Sequence, residues 1–154
     1  MARVSTYLNF RPETEEAFNF YKSVFGTGSD IIGIAGYSKD DNDTEGTIKH
    51  AEFKLGNQAF MAIDSSYMHK FGFNEAVSIV VECDTQAEID CFRDKLTEAG
   101  EEVQCGWLKD RFGVSWQIVP EILGKLMSDP SRTERVTGAF LRMKKFDIEK
   151  LLKE

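Results

Sequence analysis

Hydrophobic residues follow a simple plan along residues 1–64: a strand, a helix and three further strands. In four segments, apolar and β-branched or aromatic residues follow the pattern of β-strands. Between the first two strands they recur at helical spacing from Thr14, and Gly26 is a natural end for that helix. The predicted strands are residues 4–10, 29–37, 47–55 and 58–63.

The same plan begins again after a polar stretch at residues 64–74, which we predict to be a mobile connection. Residues 76–82 have the pattern of a strand. Thr85 is followed three residues later by Glu88, the spacing of a capping box at a helix start. Gly100 stops that helix. The second half therefore repeats the strand and helix of the first.

Two further strands are predicted at residues 102–107 and 114–119, joined by a bend. Shifting the first half by 71 residues aligns its elements with those of the second, which indicates an internal duplication. We therefore predict one α+β domain. It consists of two tandem βαβββ modules, residues 1–64 and 75–119, and a C-terminal helical extension, residues 120–154.

The extension is predicted to form a long amphipathic helix over residues 130–153, because Asp129-Pro130 has the N-cap and first-turn signature. Its apolar stripe must be buried either against the sheet of its own chain or against a partner subunit. The stripe consists of Val136, Phe140, Met143, Ile148, Leu151 and Leu152.

Charge argues against nucleic acid as a partner. The formal net charge is −7, and the only dense basic group is Arg142 with Lys144 and Lys145, which Glu149 and Glu154 balance. Binding to phosphates needs clustered basic side chains, so we predict no nucleic-acid interaction.

Hydropathy and cysteine usage indicate a cytoplasmic protein. No apolar run approaches the roughly 20 residues that a membrane helix needs. The segment after Met1 enters a strand pattern with no signal-peptide region. Cys83, Cys91 and Cys105 are odd in number and lack a CxxC spacing, which is typical of reduced thiols rather than a disulfide framework or a zinc site.

Four sequence motifs resemble one known family. The chain is similar to the PhnB-like family, also called the 3-demethylubiquinone-9 3-methyltransferase domain, of the vicinal oxygen chelate superfamily. That superfamily includes glyoxalase I, extradiol dioxygenases and antibiotic-resistance proteins. The resemblance runs from about Val4 to Phe146 and implies a glyoxalase-like fold, in which the two modules form a curved mixed sheet. The motifs are residues 7–10 (YLNF), 16–26 (EAFNFYKSVFG), 50–53 (HAEF) and 105–120 (CGWLKDRFGVSWQIVP).

The resemblance also implies four positions where metal-dependent members of the superfamily place His and Glu ligands. None of the residues here is His, Glu, Asp or Cys, the side chains that a divalent cation prefers, so we predict no required metal and no cofactor. The four positions carry Thr6 or Tyr7, Met61 or Ala62, Ser78, and Gln117. An atypical site built from His50, Glu52 and Asp64 remains the alternative.

The methyltransferase name has no chemical support in the sequence. S-adenosylmethionine enzymes typically carry a glycine-rich loop after their first strand. Here the first strand leads into Arg11-Pro12-Glu13, with no glycine before Gly26.

Strand alternation predicts which side chains line a ligand pocket. Trp116 and Ile118 share one face of the last strand and should pack under the helices, whereas Ser115 and Gln117 face the concave side. Ser78 should face inward by the same rule, and Val77, Ile79 and Val81 toward the helices. The predicted ligand-binding residues are His50, Glu52, Ser78, Ser115, Gln117 and, near the opening of the concave pocket, Phe73 and Trp107. These polar groups could instead bond each other, and the two aromatic residues could simply close the core.

The predicted function is binding of a small organic molecule in this concave pocket. Two alternatives stay open: a metal-dependent lyase, isomerase or dioxygenase, and a sequestering protein of the antibiotic-resistance type. Whether the chain catalyses a reaction is undetermined from the sequence. Because superfamily members often pair about a two-fold axis, we also predict a homodimer to which the extension, or the strand edges beside it, contributes.

Overall fold

The computed structural model describes residues 1–66 and 69–154 of the chain. The chain divides into two compact units, residues 1–70 and 71–154. Tyr67 and Met68, within the predicted connection 64–74, lie outside the described residues. In the described part of the chain, no helix is long and apolar enough to cross a membrane.

The first unit is a four-stranded mixed sheet with one helix on it, in the strand order β1-β4-β3-β2. Its first and last strands pair in parallel, and the other neighbours pair in antiparallel. This α+β arrangement confirms the first predicted βαβββ module. Its elements are β1 (Thr6–Phe10), α1 (Thr14–Phe25), β2 (Ser29–Gly36), β3 (Ile48–Leu55) and β4 (Gln58–Asp64).

An aromatic core joins α1 to the sheet of the first unit. Phe18 of α1 stacks on Phe53 of β3 with ring centroids 4.3 Å apart, and Phe53 lies 5.3 Å from Phe60 of β4. All three rings are buried. Burying side chains of this size stabilises a fold by about 1.5–3 kcal/mol each, so the helical stripe found in the sequence holds α1 on one face of the sheet.

The buried carboxylate of Asp64 connects three elements of the first unit. Its Oδ1 accepts hydrogen bonds from the backbone N–H groups of Glu13 (3.1 Å) and Thr14 (2.9 Å) at the start of α1. Its Oδ2 accepts from the N–H of Ile48 (2.9 Å), the first residue of β3. Only 3% of Asp64 is exposed. The end of β4 thereby caps α1 and fixes the start of β3.

The second unit repeats this topology, with the strand order β5-β8-β7-β6 and a parallel β5–β8 pair. The predicted capping box is present: Thr85 accepts from the N–H of Glu88, and the Glu88 side chain accepts from that of Thr85. The second predicted βαβββ module is therefore confirmed as well. Its elements are β5 (Ser78–Cys83), α2 (Gln86–Leu96), β6 (Glu101–Glu102), β7 (Trp107–Lys109) and β8 (Ser115–Pro120).

The single strand predicted at residues 102–107 is wrong. The chain forms the short strand β6, reverses through residues 103–106 and continues as β7. Cys105 and Gly106 have φ angles of 57° and 79°, which are incompatible with an extended strand. The buried guanidinium of Arg93 on α2 donates to the carbonyl oxygens of Val103 (3.1 Å) and Trp107 (3.3 Å) and so holds this turn.

The prediction that Val77 faces the helices is also wrong. Val77 precedes β5 and is 67% exposed. Ile79 and Val81 do lie on the helix-facing side of β5, beside Trp116 and Ile118 in the ladder with β8. Both are only partly buried, because β5 is the edge strand of its sheet.

The C-terminal extension contains three short helices rather than the predicted long helix over residues 130–153. They are α3 (Ile122–Met127), α4 (Thr133–Phe140) and α5 (Ile148–Lys153). The long helix is interrupted after α4, where the backbone carbonyls of Met143 and Lys144 accept from the N–H groups of Cys105 and Gly106. Backbone groups committed to another segment are not available for a continuous helix.

Part of the apolar stripe of the extension is buried within its own unit, namely Val136 and Leu151, whereas Leu152 is 48% exposed. Val136, Leu151 and Phe146 are each at most 2% exposed. Gln86 of α2 holds the segment by donating to the carbonyl of Phe146 and accepting from the N–H of Ile148, both at 2.9 Å. The segment thus buries part of its apolar stripe in its own unit and keeps some apolar surface exposed, at Leu141 and Leu152.

Asp64→Ala is expected to destabilise the protein by about 3 kcal/mol, because it leaves buried N–H groups at α1 and β3 without an acceptor. Urea unfolding followed by circular dichroism measures this loss. Asp40→Ala is the control, since Asp40 is exposed in the loop after β2. It should change the free energy of unfolding by less than about 0.5 kcal/mol. Equal effects of the two substitutions would contradict the capping role of Asp64.

Cys83 is expected to be the slowest of the three thiols to react with iodoacetamide. Burial, with smaller contributions from Glu88 and Asp84, raises the pKa of the Cys83 thiol from 9.0 to about 11. At pH 8 this reduces its thiolate fraction about a hundredfold. Cys91 is exposed and should react first. Peptide mass spectrometry gives the three rates, and in urea they should converge. Fast labelling of Cys83 in the folded protein would disprove the prediction.

Candidate functional site

Each sheet has one face covered by a helix and one face that no helix of its own module covers. We call the uncovered faces the first open face, in the first unit, and the second open face, in the second. The first consists of Tyr7, Asn9, His50, Glu52, Met61 and Ile63. The second consists of Ser78, Val80, Trp107, Lys109, Ser115 and Gln117.

The first open face has an apolar middle with polar groups on both sides. Tyr7, Met61 and Glu52 are neighbours across β1, β4 and β3. Tyr7 and Glu52 are therefore about 10 Å apart at the backbone, since adjacent strands lie about 4.8 Å apart. This strip can accommodate the width of a small organic molecule.

His50 and Glu52 project from the same side of β3, as their spacing predicted. His50 Nε2 lies 3.6 Å from Glu52 Oε1, and Arg3 pairs with the other Glu52 oxygen at 3.3 Å. His50 is 47% exposed at its side chain. The pair therefore forms a polar, solvent-accessible wall of the first open face.

Asp64 does not join His50 and Glu52, so the alternative metal site built from these three residues is wrong. Asp64 lies on the helix-facing side of the sheet with Ala62 and Phe60, and its carboxylate is bonded to three backbone N–H groups. No group of three or more His, Cys, Asp or Glu side chains that could hold a metal ion occurs within residues 1–66 and 69–154.

The second open face brings together four of the predicted ligand-binding residues. Gln117 Nε2 donates to Ser78 Oγ at 2.9 Å across the parallel β5–β8 pair. Trp107 is the ladder partner of Gln117 on the other side, and Ser115 is the partner of Ser78. Trp107 and Gln117 are partly exposed, so an aromatic ring and an amide group stand side by side on this face.

Ser115 is more deeply buried than its predicted place in an open pocket implies. It is 1% exposed, and its hydroxyl has no hydrogen-bond partner among the described residues. Its ladder partner Lys109 forms an ion pair with Glu75. This contact lowers the pKa of the Glu75 carboxyl and raises that of the Lys109 ammonium. Sequence reasoning missed both charged residues, because the register of β7 and β8 places Lys109 beside Ser115 and Glu75 is joined to Lys109 only by a long-range ion pair.

The remaining predicted residue, Phe73, lies before β5 and outside the strand rows of the second open face. Its Cβ is 3.9 Å from the position that a Cβ on Gly113 would occupy, so it packs beside the bend between β7 and β8. The other two predicted residues, His50 and Glu52, belong to the first unit and lie on the first open face. Tyr7 and Asn9 were missed as candidates on the first open face, although their alternation with buried Leu8 and Phe10 indicates this side.

Strand register shows which face the residues at the four metal-ligand positions implied by the resemblance occupy. Tyr7 and Met61 are ladder partners on the first open face, whereas Ala62 is buried on the opposite face. Ser78 and Gln117 occupy the second open face and bond each other. A phenol, a thioether, a hydroxyl and an amide are a poor donor set for a divalent cation. These residues do not fit a resident metal.

The N-terminus of α1, where a nucleotide-binding fold would place an anionic group, is closed by the protein itself. Asp64 accepts the N–H groups of Glu13 and Thr14, so a negative charge already occupies that end of the helix. The turn from β1 into α1 also has no glycine. These residues do not fit S-adenosylmethionine in the manner of a glycine-rich nucleotide site.

A separate groove in the second unit, of about 590 Å³, runs between α2 and residues 142–150. It is lined by equal numbers of acidic and basic side chains, several of them paired, such as Lys145 with Asp90 at 2.8 Å. This balance favours neither an anionic nor a cationic ligand.

Comparison with known proteins identifies the family. Residues 2–119 match the family described as 3-demethylubiquinone-9 3-methyltransferase, so the match ends before Phe146, to which the resemblance was expected to extend. No curated protein sequence matches the chain.

Three solved structures illustrate the likeness. A putative 3-demethylubiquinone-9 3-methyltransferase, the PhnB protein from Bacillus cereus, is 40% identical with a TM-score of 0.72, over 77% of this chain and 99% of that chain. A protein from Pseudomonas aeruginosa is 27% identical with a TM-score of 0.65, over 79% and 98%. The fosfomycin resistance protein FosX from Mesorhizobium loti, 10% identical with a TM-score of 0.60 over 83% and 98%, shares the fold. The chain therefore belongs to the PhnB-like 3-demethylubiquinone-9 3-methyltransferase domain family, whose glyoxalase-like fold is that of the vicinal oxygen chelate superfamily.

Proposed function

We propose that this protein binds a small organic molecule on its open sheet faces, without a required metal and without methyl transfer. The main support is the second open face, where Ser78, Gln117 and Trp107 adjoin and the hydroxyl of Ser115 is buried without a partner among the described residues. Buried polar groups are normally hydrogen-bonded, so an unpartnered hydroxyl beside such a row is the feature expected of a ligand site.

The first open face supports the same function with a second set of groups. The apolar strip of Met61 and Ile63 separates Tyr7 on β1 from His50 and Glu52 on β3. A ligand with an apolar body and polar ends matches this distribution. His50 and Glu52 act here as hydrogen-bonding groups toward the ligand rather than as metal ligands.

Methyl transfer is disfavoured by the local chemistry, despite the family name. The capped N-terminus of α1 and the glycine-free turn before it provide no cradle for the nucleoside of S-adenosylmethionine. Calorimetry should therefore show no saturable binding of S-adenosylmethionine at micromolar concentration.

The two alternative functions make different demands on the protein. A metal-dependent lyase, isomerase or dioxygenase needs ligands that Tyr7, Met61, Ser78 and Gln117 do not supply. A sequestering protein of the antibiotic-resistance type needs only a binding face, and the neighbour FosX is described as a fosfomycin resistance protein. At 10% identity the likeness to FosX concerns the fold alone, so this alternative needs its own test. Bacteria that express this chain should survive fosfomycin if the alternative holds.

Metal removal is expected to leave ligand binding unchanged. After dialysis against chelator, the protein should bind the best hit of a thermal-shift metabolite screen with the same affinity as before. Elemental analysis of protein purified without chelator should find far less than one divalent ion per chain. Stoichiometric zinc, nickel, manganese or iron, with affinity lost on chelation, would instead support the metal-dependent alternative.

We further propose that the protein is a cytoplasmic homodimer whose interface includes strand edges. Support comes from apolar side chains left exposed on edge strands, among them Ile32 and Ile34 on β2 and Val80 on β5. Light scattering at micromolar concentration should give the mass of a dimer, about 35 kDa from a 17.5 kDa chain. Ile34→Lys should weaken association, whereas Leu141→Lys on the extension should not. A monomeric mass for the unaltered chain would refute the dimer.

A further inference from the structure

Three hydrogen-bond donors follow one another across the second open face. Ser78 of β5, Ser115 of β8 and Lys109 of β7 are successive ladder partners. Residues directly opposite each other in a ladder place their side chains on the same face. Two hydroxyl groups and an ammonium group therefore stand in one row about 10 Å long.

The two serine hydroxyls have bonding capacity that the chain does not use. Ser115 is 1% exposed, and its Oγ has no partner in the described part of the chain. Ser78 Oγ accepts from Gln117 Nε2 at 2.9 Å, which leaves the Ser78 O–H free to donate. Both groups can therefore donate to an acceptor placed above β8.

A carboxylate of the protein already reaches the third donor. Glu75, three residues before Ser78, forms an ion pair with Lys109. Because β8 lies between β5 and β7, this ion pair bridges the row above Ser115. An acidic group is thus the one that the chain itself places at the Lys109 end of this row.

We propose that Ser78, Ser115 and Lys109 form a subsite for the carboxylate group of a small molecule, and that Glu75 competes with the ligand for it. This inference rests on the proposed function and names the chemistry of the ligand. A bound carboxylate exchanges one ion pair at Lys109 for another, so the exchange itself costs little. The ligand carboxylate would also accept a hydrogen bond from the hydroxyl of Ser115. Trp107, in the neighbouring row, places an aromatic surface beside the subsite for a flat ligand body.

The experiment compares benzoate with benzamide, its neutral analogue, in amide chemical-shift titrations of the whole chain. Glu75→Gln removes the competing carboxylate, and its control is Glu149→Gln, which changes the net charge equally and also breaks a Lys–Glu ion pair. Benzoate should bind Glu75→Gln at least about threefold more tightly than Glu149→Gln, the gain expected from losing one surface competitor. The affinity for benzamide should change by less than about twofold, because benzamide does not need Lys109.

Removal of the donors should have the opposite effect. Lys109→Met keeps the aliphatic stem and should weaken benzoate binding about tenfold relative to Lys153→Met. Lys153 on α5 is the control because it is the lysine that pairs with Glu149. Ser115→Ala should weaken benzoate binding about threefold and should change the affinity for benzamide by less than that. Equal benzoate affinities in Glu75→Gln and Glu149→Gln, or in Lys109→Met and Lys153→Met, would overturn the subsite.

A thiol probe tests, without any ligand, whether the ion pair of Glu75 with Lys109 shields residue 115. Ser115→Cys is combined with either Glu75→Gln or Glu149→Gln, and iodoacetamide labelling of residue 115 is followed by peptide mass spectrometry. Labelling should be about two- to fivefold faster with Glu75→Gln. Equal rates would overturn the competitor role of Glu75. Binding of benzamide but not benzoate would overturn the subsite alone. Failure of both probes to bind any variant would overturn the subsite and count against the proposed function, whatever the labelling rates.

Discussion

The parallel pairing of the first and last strands of each module is the constraint on which both open faces depend. A shift of one residue in this register would exchange the two faces of a strand. In the first unit the register sets Tyr7 beside Met61, and in the second it sets Ser78 beside Ser115. The residues that alternate with these along each strand, such as Leu8 and Trp116, are buried under the helices. The apolar core therefore fixes which polar groups reach the open faces.

The two modules secure this pairing in different ways. In the first, the buried carboxylate of Asp64 at the end of β4 caps α1. In the second, the strand ends at Pro120, and α2 is capped locally by Thr85 and Glu88. A local cap does not depend on the neighbouring strand, whereas Asp64 couples helix, strand and loop. Loss of one carboxylate should thus affect more of the first unit than loss of Thr85 affects the second.

Sequence reasoning predicted the modules because their signals are local: the helical stripe that ends at Gly26, the capping box at Thr85, and strand alternation. It failed at residues 102–107, since positive φ at Cys105, a residue type that usually avoids it, has no signal in composition. It failed again at residues 130–153, where helical spacing continues through a break. For the site, alternation placed Ser78, Ser115 and Gln117 on one face. It could not find the ion pair of Glu75 with Lys109, which joins the turn before β5 to a strand 34 residues further along the chain.

The C-terminal extension, which lies beyond the family match at residues 2–119, is bonded to the second open face through one turn. Met143 and Lys144 bind the backbone of Cys105 and Gly106, the two residues directly before Trp107. A Cβ on Gly106 would lie 2.5 Å from the ring of Phe146, so this close approach requires glycine. Arg93 holds the same turn from α2. The position of Trp107 beside Gln117 thus depends on a segment that lies beyond the family match.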